Sequence, residues 1–283
     1  MAIPMRRLAV PAIAGLLLIA IAAFPATRAS AQAFLDLFRV VNVAAVPVNV
    51  DRLKQLSQRG LDIETLIGSQ VEVLANPGPA QVFTSPAEAA TAAGLTLRAP
   101  TVLPPGLVLV RTELKGERAA SVKADTGKLR DVLDALEITD VSPPAGLDGQ
   151  TATIRVPPIV RTVYANGGQE VSFFQARSPE MTLPPRIDVP PLAEIGLRIA
   201  GLGSSEAHML AHAIDWRSTL LVPIPAASST FRQVDLPGGR GLFVEPTTRR
   251  GPRAILWTNG GMMFAMTGSI NSQTLLQMAR SVQ

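Results

Sequence analysis

The pattern of apolar and polar residues predicts a mixture of short helices and strands in the first half of the chain. Extended structure is expected over 34–50, and short strands are expected over 70–74 and 107–114, where apolar residues alternate or run together. Helices are expected over 51–68 and 125–136, because apolar residues recur there every three or four positions. No element in this half is predicted to be long.

The clearest local signal is the start of a helix at Ser85. The Ser85 side chain can accept a hydrogen bond from a free N–H group of the first turn, and Pro86 suits the first helical position. Glu88 lies where a capping box needs an acidic residue. Gly94 follows an alanine-rich segment and is typical of a left-handed C-cap. The sequence therefore predicts a short helix that ends at Gly94.

The second half of the chain is rich in predicted strands. They are expected over 151–156, 159–164, 170–175, 217–223, 231–236, 241–245, 254–258 and 262–267. Asn259-Gly260-Gly261 indicates a hairpin between the last two strands, since both central residues of an Asn-Gly turn need positive φ. A helical pair is expected over 190–200 and 204–214, and a final helix begins at Asn271 or Ser272. The residues of this helix expected to face inward are Leu275, Leu276, Met278 and Ala279.

Together these elements predict an α+β fold. Its centre is an antiparallel β-sheet meander, of which a half-open barrel is one form, packed with several short helices. The predicted organisation has a leader over 1–33, an N-terminal lobe of helices and strands over 34–140 and a β-rich C-terminal lobe over 141–283. The two lobes are expected to pack as one unit. The 24 prolines and 22 glycines among 283 residues exclude a single long helix or a coiled coil.

The first 33 residues have the order of an export signal. Arg6 and Arg7 precede an uncharged apolar stretch over 8–24, and an Ala-Gln-Ala triplet then supplies small residues for cleavage before Phe34. The apolar stretch is at the short limit for a membrane span, so an uncleaved N-terminal anchor is the alternative. Both interpretations place the rest of the chain outside the cytoplasm, whether periplasmic, secreted or membrane-anchored and facing outward.

Charge and cysteine content exclude several classes of function. The net charge is +4 and the sequence pI is about 10.1, but the leader contains three arginines and no acidic residue. Elsewhere basic and acidic residues nearly balance, and no run of five basic residues occurs, so nucleic-acid binding is not expected. The chain has no cysteine, which excludes disulfides, thiolate metal sites and cysteine nucleophiles.

Two stretches resemble a known family. One runs from Ser85 to Leu107 and includes Leu-Arg-Ala-Pro-Thr-Val-Leu-Pro-Pro-Gly-Leu; the other runs from Ala254 to Val282 and includes Trp-Thr-Asn-Gly-Gly-Met-Met-Phe-Ala-Met-Thr-Gly-Ser. Together they resemble an uncharacterised extracytoplasmic domain of bacterial proteins, some of them anti-sigma-factor-like or sporulation-related. That family is in turn similar to the outer-membrane lipoprotein carrier and sigma-E regulator group. The resemblance implies a half-open barrel that binds acyl chains or lipoproteins, and it implies no catalytic residues.

Catalytic and metal-binding patterns are incomplete in this sequence. His208 and His212, the only histidines, are spaced to share one helix face, and Glu206 or Asp215 could add a carboxylate. No glutamate lies between the histidines, so the metalloprotease pattern fails. No nucleophile elbow, phosphate loop or dinucleotide fingerprint is present. We therefore expect no enzyme activity, no bound metal and no cofactor.

The candidate ligand-binding residues are the apolar residues of one predicted strand, together with one tryptophan. On that strand Met262, Phe264 and Met266 share a face, and Met263 lies on the other. A strand that is apolar on both faces needs cover on both, either from the final helix or from a ligand in a groove. Trp216, one of two tryptophans, is a further candidate for the rim of such a groove.

Two functions are expected from these observations. The first is a non-enzymatic extracytoplasmic sensor or interaction domain of the bacterial envelope, binding a protein or a lipid. The second is a soluble lipid or lipoprotein carrier with a hydrophobic cavity. An envelope protein or lipid is the expected partner in both cases, and the N-terminal segment brings the chain close to the membrane.

Overall fold

The computed structural model describes residues 42–49, 71–184, 187–216, 218–248 and 251–283. Within these ranges the chain forms an α+β fold with mostly antiparallel sheets, which confirms the predicted fold class. The leader predicted over 1–33 and the helices predicted over 51–68 lie outside the described residues.

The described ranges contain fourteen strands and five helices. The strands are β1 (Asn42–Val48), β2 (Val71–Ala75), β3 (Gln81–Phe83), β4 (Val108–Lys115), β5 (Arg118–Lys123), β6 (Thr151–Val156), β7 (Ile159–Asn166), β8 (Gln169–Arg177), β9 (Glu180–Thr182), β10 (Thr219–Pro225), β11 (Ser229–Leu236), β12 (Gly239–Pro246), β13 (Arg253–Asn259) and β14 (Met262–Gly268). The helices are α1 (Pro86–Ala93), α2 (Thr126–Ala135), α3 (Val189–Ile199), α4 (Ser204–Ala213) and α5 (Ser272–Arg280). Three of the strands, β3, β5 and β9, were not predicted. β3 and β9 have only three residues each, and β5 is poor in the β-branched and aromatic residues that mark a strand.

The main structural unit is an eight-stranded antiparallel sheet with the order β11-β12-β13-β14-β8-β7-β4-β3. The predicted meander forms one half of it, because β11 to β14 pair in chain order. No pairing among the described strands joins the edges β11 and β3, so the sheet is not a closed barrel. Each of the three described sheets contains strands from both sides of residue 140.

A four-stranded sheet continues one half of the large sheet. Its order, β2-β5-β6-β9, matches the order β3-β4-β7-β8, and each of its strands is joined to the corresponding strand by a short connection. Proline or glycine occupies every one of these connections: Pro77, Gly116, Pro157, Pro158 and Pro179 are among the residues found there. Proline cannot donate to a strand ladder, and it occupies three of the four connections, with glycine in the fourth. All four strands are therefore interrupted side by side, and two sheets result.

The predicted N-caps of α1 and α5 and the predicted C-cap of α1 are formed. The Ser85 hydroxyl accepts a hydrogen bond from the Glu88 amide at 3.3 Å, and Gly94 has φ of +61° as the C-cap of α1. The Glu88 carboxylate, which was predicted to close a capping box with Ser85, instead accepts a hydrogen bond from the Thr84 hydroxyl at 2.7 Å. At α5 the Asn271 side chain accepts a hydrogen bond from the Thr274 amide at 2.8 Å, which confirms Asn271 as the N-cap.

The largest core cluster lies between the sheet and α5. Phe173, Trp257 and Phe264 stack there with ring centroids 5.2–6.1 Å apart. The four residues of α5 that the sequence analysis placed inward are all buried in this cluster. A second cluster is formed by α3, α4 and the parallel pair β1–β10, with β1 lying against β12 and β13.

Candidate functional site

The predicted methionine-rich strand is β14, and one of its faces belongs to the main core. Phe264 and Met266 are fully buried, and Met262 packs at the margin of the same cluster. α5 covers this face, which is the arrangement expected when the final helix packs on the strand. Phe264 and Met266 therefore form the core under α5 and do not line an open groove.

The side chain of Arg98 also covers the Phe264 ring. The guanidinium of Arg98 lies over the Phe264 ring, 5.4 Å from its centroid. The segment that contains Arg98 is held in place by Gln175, the direct neighbour of Phe264 across the strand pair β14–β8. This contact joins residues 77 positions apart, so no local pattern could have predicted it.

The other candidate residues lie elsewhere. Met263 is half-buried on the opposite face of β14, in register with Thr258 on β13 and Ala176 on β8. Trp216 belongs to the second cluster, where its indole N–H donates to the Ala211 carbonyl at 2.6 Å. The structure therefore confirms the predicted alternation along β14 but does not bring Trp216 together with the methionines.

An apolar surface that the sequence analysis missed lies at the start of β4. Val108, Leu109 and Val110, which we call the β4 edge, are 57%, 41% and 56% exposed. Among the described strands, β7 pairs with the β4 edge on one side, whereas β3 reaches only Thr112–Leu114 on the other. The register shifts between Leu109 and Arg111, so Val110 is the extra residue of a bulge. The available signal was the run of four consecutive large apolar residues, Leu107 to Val110, after Pro-Pro-Gly.

A groove of about 410 Å³ lies beside the loop that leads into β4. The loop before β4 forms one wall, in which Val102 and Leu103 are exposed, and α5 with its N-cap forms the other. The residues that define the two walls include Val102, Leu103, Pro104, Asn271, Thr274 and Met278. The groove thus combines apolar loop side chains with polar groups from the helix.

The two histidines and one glutamate form a cluster between α3 and α4. The Glu194 carboxylate lies 2.9 Å from Nδ1 of His208, and the rings of His208 and His212 lie 4.3 Å apart between centroids. One potential ligand atom from each residue lies within 4.8 Å of the others. The carboxylate comes from Glu194 on the preceding helix, whereas the sequence analysis considered Glu206 and Asp215.

An ion pair fixes the start of α4 close to this cluster. The Arg198 guanidinium and the Ser204 hydroxyl each donate to the Asp140 carboxylate at 2.7 Å. These hydrogen bonds, above all the one from Arg198, hold the pKa of Asp140 well below its usual range.

In the eight-stranded sheet, burial raises the pKa of the Tyr164 hydroxyl.

Comparison of the chain with protein-family models, with curated proteins and with solved structures found no match in any of the three. Among the described residues, no helix has both the length and the apolar character needed to cross a bilayer.

Proposed function

We propose that this protein is a non-enzymatic interaction domain of the bacterial envelope that binds an extended segment of a partner protein along the β4 edge. The observation that carries the proposal is a strand edge that no other described strand covers, with exposed apolar side chains at three consecutive positions. An extended peptide can add a strand to such an edge and place alternate side chains on the two faces of the sheet. The export signal predicted over 1–33 supports the envelope as the location.

The opposite edge of the sheet provides a contrast. The exposed residues of β11 include Arg232, Gln233 and Asp235, although Phe231 is also exposed. Charged side chains on an edge strand disfavour pairing with another chain. The β4 edge has no charged residue over 108–110, so it is the edge better suited to a partner strand.

Backbone chemistry favours a peptide as the occupant over a lipid. A strand edge offers amide donors and carbonyl acceptors, which a peptide backbone can satisfy and an acyl chain cannot. The nearby groove adds polar groups from α5 to the apolar side chains of the loop. The carrier function stays the alternative, but Phe264 and Met266, from which it was inferred, are packed in the core.

The proposal can be tested with synthetic peptides that carry valine or threonine at alternate positions and lysine between them. The peptides are expected to shift the amide NMR signals of residues 108–111 in the folded protein. Peptides N-methylated at every residue of the same segment should not do so, because both edges of the peptide then lack the donors that strand addition requires. Val110→Lys should weaken binding, whereas Phe231→Ser, which alters an exposed apolar residue on the opposite edge, should not.

Three results would contradict this proposal. One is binding of the N-methylated peptides with the same affinity as the unmodified ones. Another is a dimer in sedimentation experiments that Val110→Lys abolishes, since the occupant of the edge would then be a second copy of this chain. The third is a response of residues 108–111 to phospholipid vesicles and not to peptides, which would favour the lipid alternative.

A further inference from the structure

Contrary to the expectation from the sequence that no metal is bound, we propose that Glu194, His208 and His212 form a binding site for a divalent transition-metal ion, with Zn²⁺ as a suitable occupant. The three residues come from the two helices of the α3–α4 hairpin, and their ligand atoms all lie within 4.8 Å of one another. The site is separate from the β4 edge, so it does not depend on the proposed function.

Helix geometry brings the histidines together. Residues spaced i and i+4 are neighbours on one helix face, and the two rings are in contact, with centroids 4.3 Å apart. Glu194 reaches the same point from α3, and its side chain is only 12% exposed, whereas that of His208 is 63% exposed. The site is thus open on the histidine side and closed on the glutamate side, so an ion can enter from solvent.

The hydrogen bonding of His212 suits metal binding. Its Nδ1 lies 3.0 Å from the backbone carbonyl oxygen of His208. A carbonyl oxygen can only accept, so Nδ1 carries the proton and Nε2 presents a lone pair. Histidines that bind metals commonly donate their other ring N–H to a carbonyl or carboxylate in this way, which fixes the tautomer and the ring orientation.

The Glu194–His208 pair provides the other two ligands. In the absence of an ion, Nδ1 of His208 and Oε2 of Glu194 are 2.9 Å apart and share a hydrogen bond. A metal ion between these atoms replaces that hydrogen bond, and the His208 ring then carries its proton on Nε2. The separation is close to that needed for two ligands of one ion, so only small side-chain movements are required.

The donor set indicates the class of ion. Two imidazole nitrogens and one carboxylate oxygen are ligands of zinc sites in which a fourth position is left to water. Imidazole also suits nickel and copper, whereas magnesium and calcium prefer oxygen ligands alone. The site is therefore expected to bind Zn²⁺ and to discriminate against Mg²⁺.

The test is competition between the tag-free protein and a chromophoric chelator for Zn²⁺. The wild type is expected to bind one ion per chain and to show no response to Mg²⁺. His212→Ala and Glu194→Gln should each lower the affinity for Zn²⁺ by at least about 10-fold. Glu206→Gln is the matched control, since Glu206 is an exposed carboxylate in the first turn of α4 and should leave the affinity unchanged.

Folding is monitored separately, by thermal unfolding of each variant without metal. X-ray absorption of the zinc-loaded wild type gives a second measurement that needs no variant, and it should show imidazole and carboxylate ligands. Absence of stoichiometric zinc binding by the wild type would overturn the proposal. Wild-type affinity in either His212→Ala or Glu194→Gln would overturn it as well, because the three ligands act together.

Discussion

The side-chain amide of Gln175 forms two hydrogen bonds with the backbone of Arg98. The Arg98 amide donates to Oε1 at 2.8 Å, and Nε2 donates to the Arg98 carbonyl at 2.9 Å. The Gln175 side chain thus satisfies both the backbone N–H and the backbone carbonyl of Arg98, as the backbone of a neighbouring strand would. Because Gln175 lies beside Phe264 in the sheet, it also places the Arg98 guanidinium over the Phe264 ring.

Gln175→Leu is expected to destabilise the protein by about 1–3 kcal/mol, since the backbone groups of Arg98 lose their partners. Gln175 itself is only 1% exposed, so water cannot readily take its place. Denaturant unfolding measures the effect. Gln233→Leu on the exposed edge strand β11 is the control and should change stability by no more than about 0.5 kcal/mol. Equal effects of the two substitutions would show that the Gln175–Arg98 contact contributes little.

The two faces of β14 are expected to respond differently to a polar side chain. Phe264→Ser should cost about 3–5 kcal/mol, because it removes a buried ring from a stack with Phe173 and Trp257. Met263→Ser, on the half-buried face, should cost about 1 kcal/mol or less. Thermal unfolding of both variants checks the difference. A larger loss in Met263→Ser would mean that the two faces have been assigned in the wrong order.

The lowered pKa of Asp140 makes a contribution to stability that depends on pH. The carboxylate is held charged in the folded state mainly by Arg198, so the unfolded chain takes up a proton first as pH falls. The contribution is thus complete above the ordinary aspartate pKa of about 3.9 and is lost progressively below it.

Asp140→Asn should therefore be less stable than the wild type near neutral pH, and the difference should shrink on acidification. Denaturant unfolding at a series of pH values measures it. Asp131→Asn, which removes an exposed carboxylate on α2, controls for the loss of one negative charge. A difference between wild type and Asp140→Asn that grows as pH falls would contradict the assignment.

The leader predicts a mature N-terminus at Phe34. Mass spectrometry of the protein isolated from the envelope or secreted fraction of the cells that produce it measures that terminus directly. Export with an intact leader would indicate the N-terminal anchor instead. A soluble cytoplasmic protein that retains Met1 or Ala2 would contradict both forms of the prediction.

Local signals predicted most of the described elements. The Ser85 cap, the Gly94 end of α1 and the hairpin between β13 and β14 depend on neighbours within a few residues, so they could be recognised without the fold. The two turn residues with positive φ are Gly260 and Gly261, because Asn259 is the last paired residue of β13. β3 and β9 could not, since three residues are too few to show a period and each is stabilised by a distant partner strand. The cover over Phe264 likewise depends on Arg98, a residue remote in sequence.

The sequence by itself determined the fold class, the alternation along β14 and the placement of His208 and His212 on one face of α4, because these follow from backbone periodicity. Tertiary structure alone decided that Glu194 joins those histidines, that α5 and Arg98 cover Phe264, and that β3 stops short of the β4 edge. The physical reason is the same in each case. Periodicity specifies the direction of a side chain relative to its own element, whereas burial and ligand geometry depend on which element packs against it.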